Sequence, residues 1–273
     1  MLDNIGTHSG FVDLPGVRLA YERAGLGAPV VFLHGGLLDR RMWDDQFSFF
    51  AKDYRAIRYD MRGAGQSEVI SCIEPFAHHE DLVRLLQGLQ IGRASLVAHS
   101  NYGVALDFAI AHPESVHKLV LVSPGLRGYE FRDPWVGTEF AAMIAALEQK
   151  DLNGAVEVFL RMWVDGPYRT PAQIDPLMRQ RAREMVTRSF CLNRNTPNCK
   201  GLDPPAVSRL PEVHAPTLVI LGDKDAPDIH AIGDVIHKSV VSSQLVGMHD
   251  VGHLLAMEKP NEFNQIVESF LQM

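Results

Sequence analysis

The feature that most constrains this chain is a succession of short apolar runs, each ending in a glycine-rich or polar turn and each followed by an amphipathic stretch. Pro29 to Leu33 is apolar at every position and stops at His34-Gly35-Gly36. A strand with one wet face alternates apolar and polar residues, whereas a continuous run must be covered on both faces, as happens when helices flank a parallel sheet. Tyr54 to Tyr59, Ala94 to Ala98, Val116 to Val122 and Thr217 to Leu221 repeat the pattern, and Gln244 to Met248 supplies a last short strand. Phe11 to Leu14 and Val17 to Ala24, parted by Pro15-Gly16, are expected to open the sheet as an antiparallel hairpin.

Between the runs the period changes. From Glu80 to Gln90, Leu82, Leu85, Leu86 and Leu89 share one helical face, Tyr102 to Ala111 is helical in character, and Phe263, Ile266, Val267, Phe270 and Leu271 mark a closing amphipathic helix. From Leu126 to Leu210 the strand pattern stops and helical spacing takes over, through Phe140, Met143, Ile144 and Leu147 and then Leu152, Val156, Phe159, Leu160 and Trp163. We therefore expect an α/β core built from residues 1–125 and 211–273, interrupted by an all-helical insertion over 126–210.

The chain has 273 residues, 46% of them hydrophobic, enough for one substantial core. Its 33 acids against 26 bases give a net charge of −7, which argues against a phosphate-tracking surface and hence against nucleic-acid binding. No basic start with an apolar signal-like stretch and no run of bilayer length occurs, so a soluble, cytoplasmic protein is expected, a monomer or homodimer acting on a small molecule. Cys72, Cys191 and Cys199 are odd in number and lack metal-ligand spacing, which suggests reduced thiols and no disulfide framework. No metal cluster stands out among the twelve histidines, and no cofactor is called for.

Chemistry concentrates at the strand ends. A serine hydroxyl becomes a useful nucleophile when an imidazole removes its proton, and the imidazole needs a carboxylate to fix its tautomer. Ser100 lies between an apolar strand and a helix, where a tight turn lifts the hydroxyl above the sheet edge. Asp225 follows Thr217 to Leu221 through Gly222-Asp223-Lys224, and His253 follows the last strand through Gly252. These are positions at which open α/β sheets place their sites. Asp223 and Asp228 rival Asp225, and His249 rivals His253, without the same spacing. The backbone N–H groups of Gly36 and Asn101 are the expected oxyanion donors.

Taken in order, Phe32-Leu33-His34-Gly35-Gly36, Asp60-Met61-Arg62-Gly63-Ala64-Gly65-Gln66-Ser67, Ala98-His99-Ser100-Asn101-Tyr102-Gly103, Pro216 to Asp225 and Gly252-His253 with Glu258-Lys259-Pro260 resemble the α/β-hydrolase superfamily from about residue 10 to the end. The resemblance implies an α/β-hydrolase fold, an eight-stranded mostly parallel sheet, with the insertion as a helical cap. Trp163-Val164-Asp165-Gly166-Pro167 is similar to caps of small esterases and enol-lactonases, which implies ester or lactone hydrolysis through an acyl-enzyme on Ser100. C–C bond hydrolysis or perhydrolysis on the same three residues, and a non-catalytic ligand-binding receptor on the same scaffold, are the alternatives.

The elbow departs from Gly-x-Ser-x-Gly at both ends, with Ala98 and Tyr102 in place of glycine, and Tyr102 brings bulk where strand and helix meet. Gly35, Leu37, His99, Trp135, Phe140, Trp163 and Leu254 are expected around the substrate. His34 and His99 are also expected to bond nearby backbone, and Asp60 and Arg62 to tie loops together beside the site. Arg179, Arg181, Arg183 and Glu184 suit a solvated helix face.

Overall fold

The computed structural model describes residues 6–71, 74–192 and 198–273, with Tyr102 described by its backbone alone. The strands are β1 (His8–Leu14), β2 (Val17–Ala24), β3 (Pro29–Leu33), β4 (Arg55–Tyr59), β5 (Glu68–Val69), β6 (Ala94–His99), β7 (Val116–Val122), β8 (Thr217–Gly222) and β9 (Ser243–Met248). Eight of them form one sheet in the order β1-β2-β4-β3-β6-β7-β8-β9, and the two-residue β5 pairs with β2. The β1–β2 and β2–β4 pairings are antiparallel and every pairing from β4 to β9 along this path is parallel. This is the α/β-hydrolase fold.

The apolar runs are continuous because both sheet faces are covered. Val31 and Leu33 of β3, Leu96 and Ala98 of β6, Leu119 and Leu121 of β7 and Val219 and Leu221 of β8 enter one core. Their neighbours Val30, Phe32, Val97, Val120, Val122, Leu218 and Ile220 enter the other. Each fully buried aliphatic or aromatic side chain contributes about 1.5–3 kcal/mol by leaving water. α2 (His78–Gly88) buries Leu82, Leu85 and Leu86 in the first core, beside α3 (Val104–Ala111). On the opposite face, α1 (Asp44–Phe50) supplies Phe47 and Phe50, and the C-terminal helix (Pro260–Gln272) supplies Phe263, Val267 and Phe270.

Between β7 and β8 the described chain carries α4 (Pro134–Glu148), α5 (Leu152–Leu160) and α6 (Pro176–Leu192), whose Met143, Val156, Phe159, Met178 and Met185 extend the second core. The Arg179, Arg181 and Arg183 face of α6 is not simply solvated. Arg179 pairs with buried Asp165, Arg181 reaches Asp44 and Asp45 of the core, and Arg183 pairs with Glu157. No helix among the described residues is long and apolar enough to cross a membrane.

The strand order also locates a crevice. From β3 the chain steps to β4 on one side and later returns to β6 on the other, so the connections leaving the carboxyl ends of β3 and β6 diverge. Open parallel sheets bind ligands at such a divergence. The Gly35-Gly36 turn leaves β3 there, and Ser100 leaves β6.

Candidate active site

Ser100 has φ 53° and ψ −96°, a conformation rare outside glycine, and it precedes a short 3₁₀ turn over Asn101–Gly103. Such strain costs about 1–3 kcal/mol and persists only where surrounding bonds hold it. Here the Ser100 N–H donates to the Val122 carbonyl at 2.9 Å, and the Ser100 carbonyl accepts from the Gly125 N–H at 2.8 Å. The elbow is thus pinned by the end of β7 and by the turn that follows it. Gly103, one position beyond the expected glycine, takes φ 76°, and a Cβ there would lie 3.1 Å from the Arg127 nitrogen. The close approach to the neighbouring loop therefore falls on Gly103. The expected crowding by the Tyr102 ring, like any role for Cys72, lies outside the described residues.

Asp225 and His253 meet as their spacing suggested. Both are buried, 2% and 5% exposed, and His253 Nδ1 stands 2.9 Å from Asp225 Oδ2 and 3.1 Å from Oδ1. A carboxylate only accepts, so Nδ1 carries the proton and Nε2 keeps its lone pair. Burial alone would push the Asp225 carboxyl up; the facing imidazole and the Ala226 N–H, 2.7 Å from Oδ1, outweigh it and hold the carboxyl below its ordinary range. The rivals are otherwise engaged. Asp223 pairs with exposed His249 at 2.7 Å, and Asp228 accepts from the Tyr129 hydroxyl and from the N–H groups of Arg132 and Asp133.

The turn after β3 is tied to the elbow. The His34 ring donates from Nδ1 to the Gly35 carbonyl at 2.8 Å and accepts the Met61 N–H at Nε2 at 3.0 Å. Asn101 Nδ2 donates to the His34 carbonyl at 2.9 Å, so the residue after Ser100 binds the turn that holds Gly36. Asn101 opens its 3₁₀ turn, and first-turn N–H groups have no partner within the turn itself. The loops behind are tied as expected. Asp60 accepts from Arg40 and from the Gln66 N–H, and Arg62 grips Asp81 through Nε and Nη2 at 2.8 and 2.9 Å.

His99 also serves backbone, donating from Nε2 to the His253 carbonyl at 2.9 Å. Burial pushes its imidazole down to about 3 and that of His78 to about 4, and lowers His34 as well. These rings are neutral in the fold but take protons in the unfolded chain near pH 6.5, so their contribution is present above that pH and is lost as the pH falls. Asp225, with a lowered carboxyl, loses its contribution only below about pH 4. Between pH 6.5 and 5 we expect stability to fall by up to about 1.4 kcal/mol per pH unit for each of His99 and His78. Urea unfolding at pH 7 and pH 5 checks this, since His99→Gln should lose less stability over that interval than the parent, and an equal loss would refute the assignment to His99.

A cavity of about 860 Å³ opens beside the elbow, lined by the His34–Leu37 turn, Met61 to Ala64, His78 and Asn101 on the core side. Leu147, Lys150, Leu152, Ser189, Phe190 and Cys191 line it from the insertion. Of the residues expected around the substrate, Gly35 and Leu37 are on this wall, with Gly36 between them. The others lie elsewhere: Trp135 packs on the first core, Phe140 is 44% exposed, and Leu254 is buried in the second core. Trp163 lies against His253, with ring centroids 4.4 Å apart. Leu147 and Leu152 fall inside the helical pattern of the insertion, whereas nothing in the sequence signals that Phe190 and Cys191 reach the core.

The strained serine follows β6, the bonded glycine turn follows β3, and the carboxylate and imidazole of the buried pair follow β8 and β9 of the same sheet. Residues 30–266 match the Alpha/beta hydrolase family, and the chain belongs to it. It is 31% identical to the 2-hydroxy-6-oxononadienedioate/2-hydroxy-6-oxononatrienedioate hydrolase of Burkholderia vietnamiensis, covering 94% of this chain and 91% of that one. It is 28% identical to human serine hydrolase BPHL, over 96% of this chain and 85% of the relative. The enol-lactonase from Burkholderia xenovorans shares the fold, with a TM-score of 0.78, 21% identity and coverage of 97% and 100%.

Proposed function

We propose that this hydrolase cleaves carboxylic esters or lactones through an acyl-enzyme on Ser100. His253 Nε2 takes the serine proton as the hydroxyl attacks the carbonyl, Asp225 orients the ring, and the N–H groups of Gly36 and Asn101 receive the oxyanion. The proton then passes to the leaving alcohol, and water repeats the sequence to release the acid. The observation that carries this reading is the buried Asp225–His253 pair, bonded at the His253 carbonyl by His99, together with the next residue, Ser100, held at φ 53°, because strain at one serine has little structural purpose of its own.

In this reading residues 126–210 form the cap over a core of 1–125 and 211–273. The cavity is within the 300–1,000 Å³ range usual for small-molecule sites. Among the described residues its lining carries Lys150 and no carboxylate, while Arg62 is already paired with Asp81 and the His78 ring is neutral, which suits a neutral acyl group or one with a single negative charge.

The relative from Burkholderia vietnamiensis favours a second reading, in which the same serine serves the hydrolysis of a C–C bond next to a ketone. A panel of 4-nitrophenyl esters graded by acyl length, an enol lactone and a vinylogous 1,5-diketone separates the two. We expect Ser100-dependent turnover of an ester or the lactone at least about tenfold above the diketone, a difference of roughly 1.4 kcal/mol at the transition state. The reverse order would establish the second reading. No turnover of any substrate, with no labelling of Ser100 by a fluorophosphonate, would overturn both.

A further inference from the structure

His253 is held by more than its own loop. His99 meets its ring edge-on at 4.8 Å, and Trp163, from the insertion, covers it at 4.4 Å with the ring planes tilted by 38°. Trp163 sits in a π-helical turn over Arg161–Asp165, and the Gly166 N–H closes it by donating to the Arg161 carbonyl at 3.0 Å. Such turns are uncommon and gather at functional sites.

One guanidinium fastens this turn to the loop of the base. Arg169 donates from Nη2 to the Val164 carbonyl at 2.8 Å and from Nε to the Asp165 carbonyl at 3.1 Å. Through Nη1 and Nη2 it also grips Glu258, whose Oε1 accepts the N–H of Gly252, the residue before His253, at 2.8 Å. Both side chains are almost buried, at 6% and 9% exposure. Asp165 is locked in turn by two bonds from Arg179, at 2.9 and 3.0 Å. Gly166 has φ 73°, and a Cβ there would lie 2.9 Å from the carbonyl of Lys224, next to Asp225. The turn is therefore set against the acid loop and the base loop together.

We propose that Trp163, positioned by the Arg169–Glu258 clamp, stabilises the protonated form of His253 and so supports proton transfer in the reaction proposed above, on which the catalytic part of this inference rests. A cation within about 6 Å of an indole ring is attracted to its face, more strongly when water is excluded. Among the described residues, the charged and aromatic groups in contact with the His253 ring are the Asp225 carboxylate, the Trp163 indole and the His99 imidazole, with the Arg169–Glu258 pair reaching it through Gly252. Burial keeps His99 neutral, so it opposes no positive charge on its neighbour.

The test follows the His253 side-chain nitrogens by NMR across pH in the parent, W163F, W163L and R169Q. In W163L the pH at which His253 takes its proton should fall by about one unit, and in W163F by less. R169Q, which keeps the indole but frees its turn, should shift it in the same direction. The acidic limb of kcat/KM should move with it to lower pH, with kcat down about tenfold and KM changed less than about twofold. An unshifted titration in W163L overturns the proposal; if W163L does not fold, an unshifted titration in both W163F and R169Q does so. The titration needs no turnover. An NMR shift in a protein that hydrolyses no substrate would therefore count against the reaction on Ser100 while sustaining the contact between Trp163 and protonated His253.

Discussion

Ser100→Ala is expected to lower kcat on the best ester by about 10⁶, with the fold and the affinity for substrate nearly unchanged. The size follows from the way the three groups act as a unit: without the hydroxyl, the His253–Asp225 pair has no proton to take. A residual rate about 10³–10⁴ above that in water should survive, because Gly36 and Asn101 would still receive an oxyanion formed by direct water attack. The structural argument for an intact fold is specific. Alanine keeps the N–H and carbonyl that bond Val122 and Gly125, and it suffers the same strain at φ 53°. Ser100→Gly makes a useful companion, since removing Cβ relieves that strain and should stabilise the protein by about 1 kcal/mol while abolishing activity equally. Burst kinetics and thermal melting on both variants check this. Ester turnover by Ser100→Ala within tenfold of the parent would remove Ser100 from the mechanism.

Much of this arrangement was legible in the chain because it depends on local rules. Continuous apolar runs are a direct imprint of a sheet covered on both faces, and Val17–Ala24, Pro29–Leu33 and Val116–Val122 appear with the bounds their apolar residues suggest. The placement of Asp225 and His253 was legible for the same reason, since a residue just past a parallel strand has one edge to emerge from. What escaped depends on packing between distant segments. Met61 to Ala64 and Phe190 share a cavity wall although well over a hundred residues separate them, and no period in either segment records the other. Trp163 was legible as apolar at helical spacing, but the π-turn that swings it onto His253 breaks that spacing. Arg179 shows the limit of charge patterning: an arginine on a helix face suggests solvent until its partner, the buried Asp165, is known.

Asp225→Asn should cost about 10⁴ in kcat/KM at neutral pH while changing side-chain volume hardly at all. The reason is the orientation that the backbone imposes on the new amide. In the parent, Oδ1 accepts the Ala226 N–H at 2.7 Å, and Oδ2 is the oxygen nearer His253 Nδ1, at 2.9 Å. An asparagine there keeps its one oxygen on the Ala226 N–H, because an amide NH₂ cannot accept that bond. The NH₂ group then points at His253 and donates to Nδ1. The imidazole must carry its proton on Nε2, the atom that has to accept from Ser100, so the base is present, well placed and in the wrong tautomer. Loss of the negative charge adds to the effect by leaving the imidazolium unpaired in a buried site. Fluorophosphonate labelling should slow in parallel with ester turnover, since both need the serine deprotonated, whereas binding of a non-reactive ester analogue should hold. A loss smaller than tenfold would show that Asp225 does not set the tautomer of His253. Asp223→Asn is the internal control: its partner is the exposed His249, and its expected effect on turnover is less than about twofold.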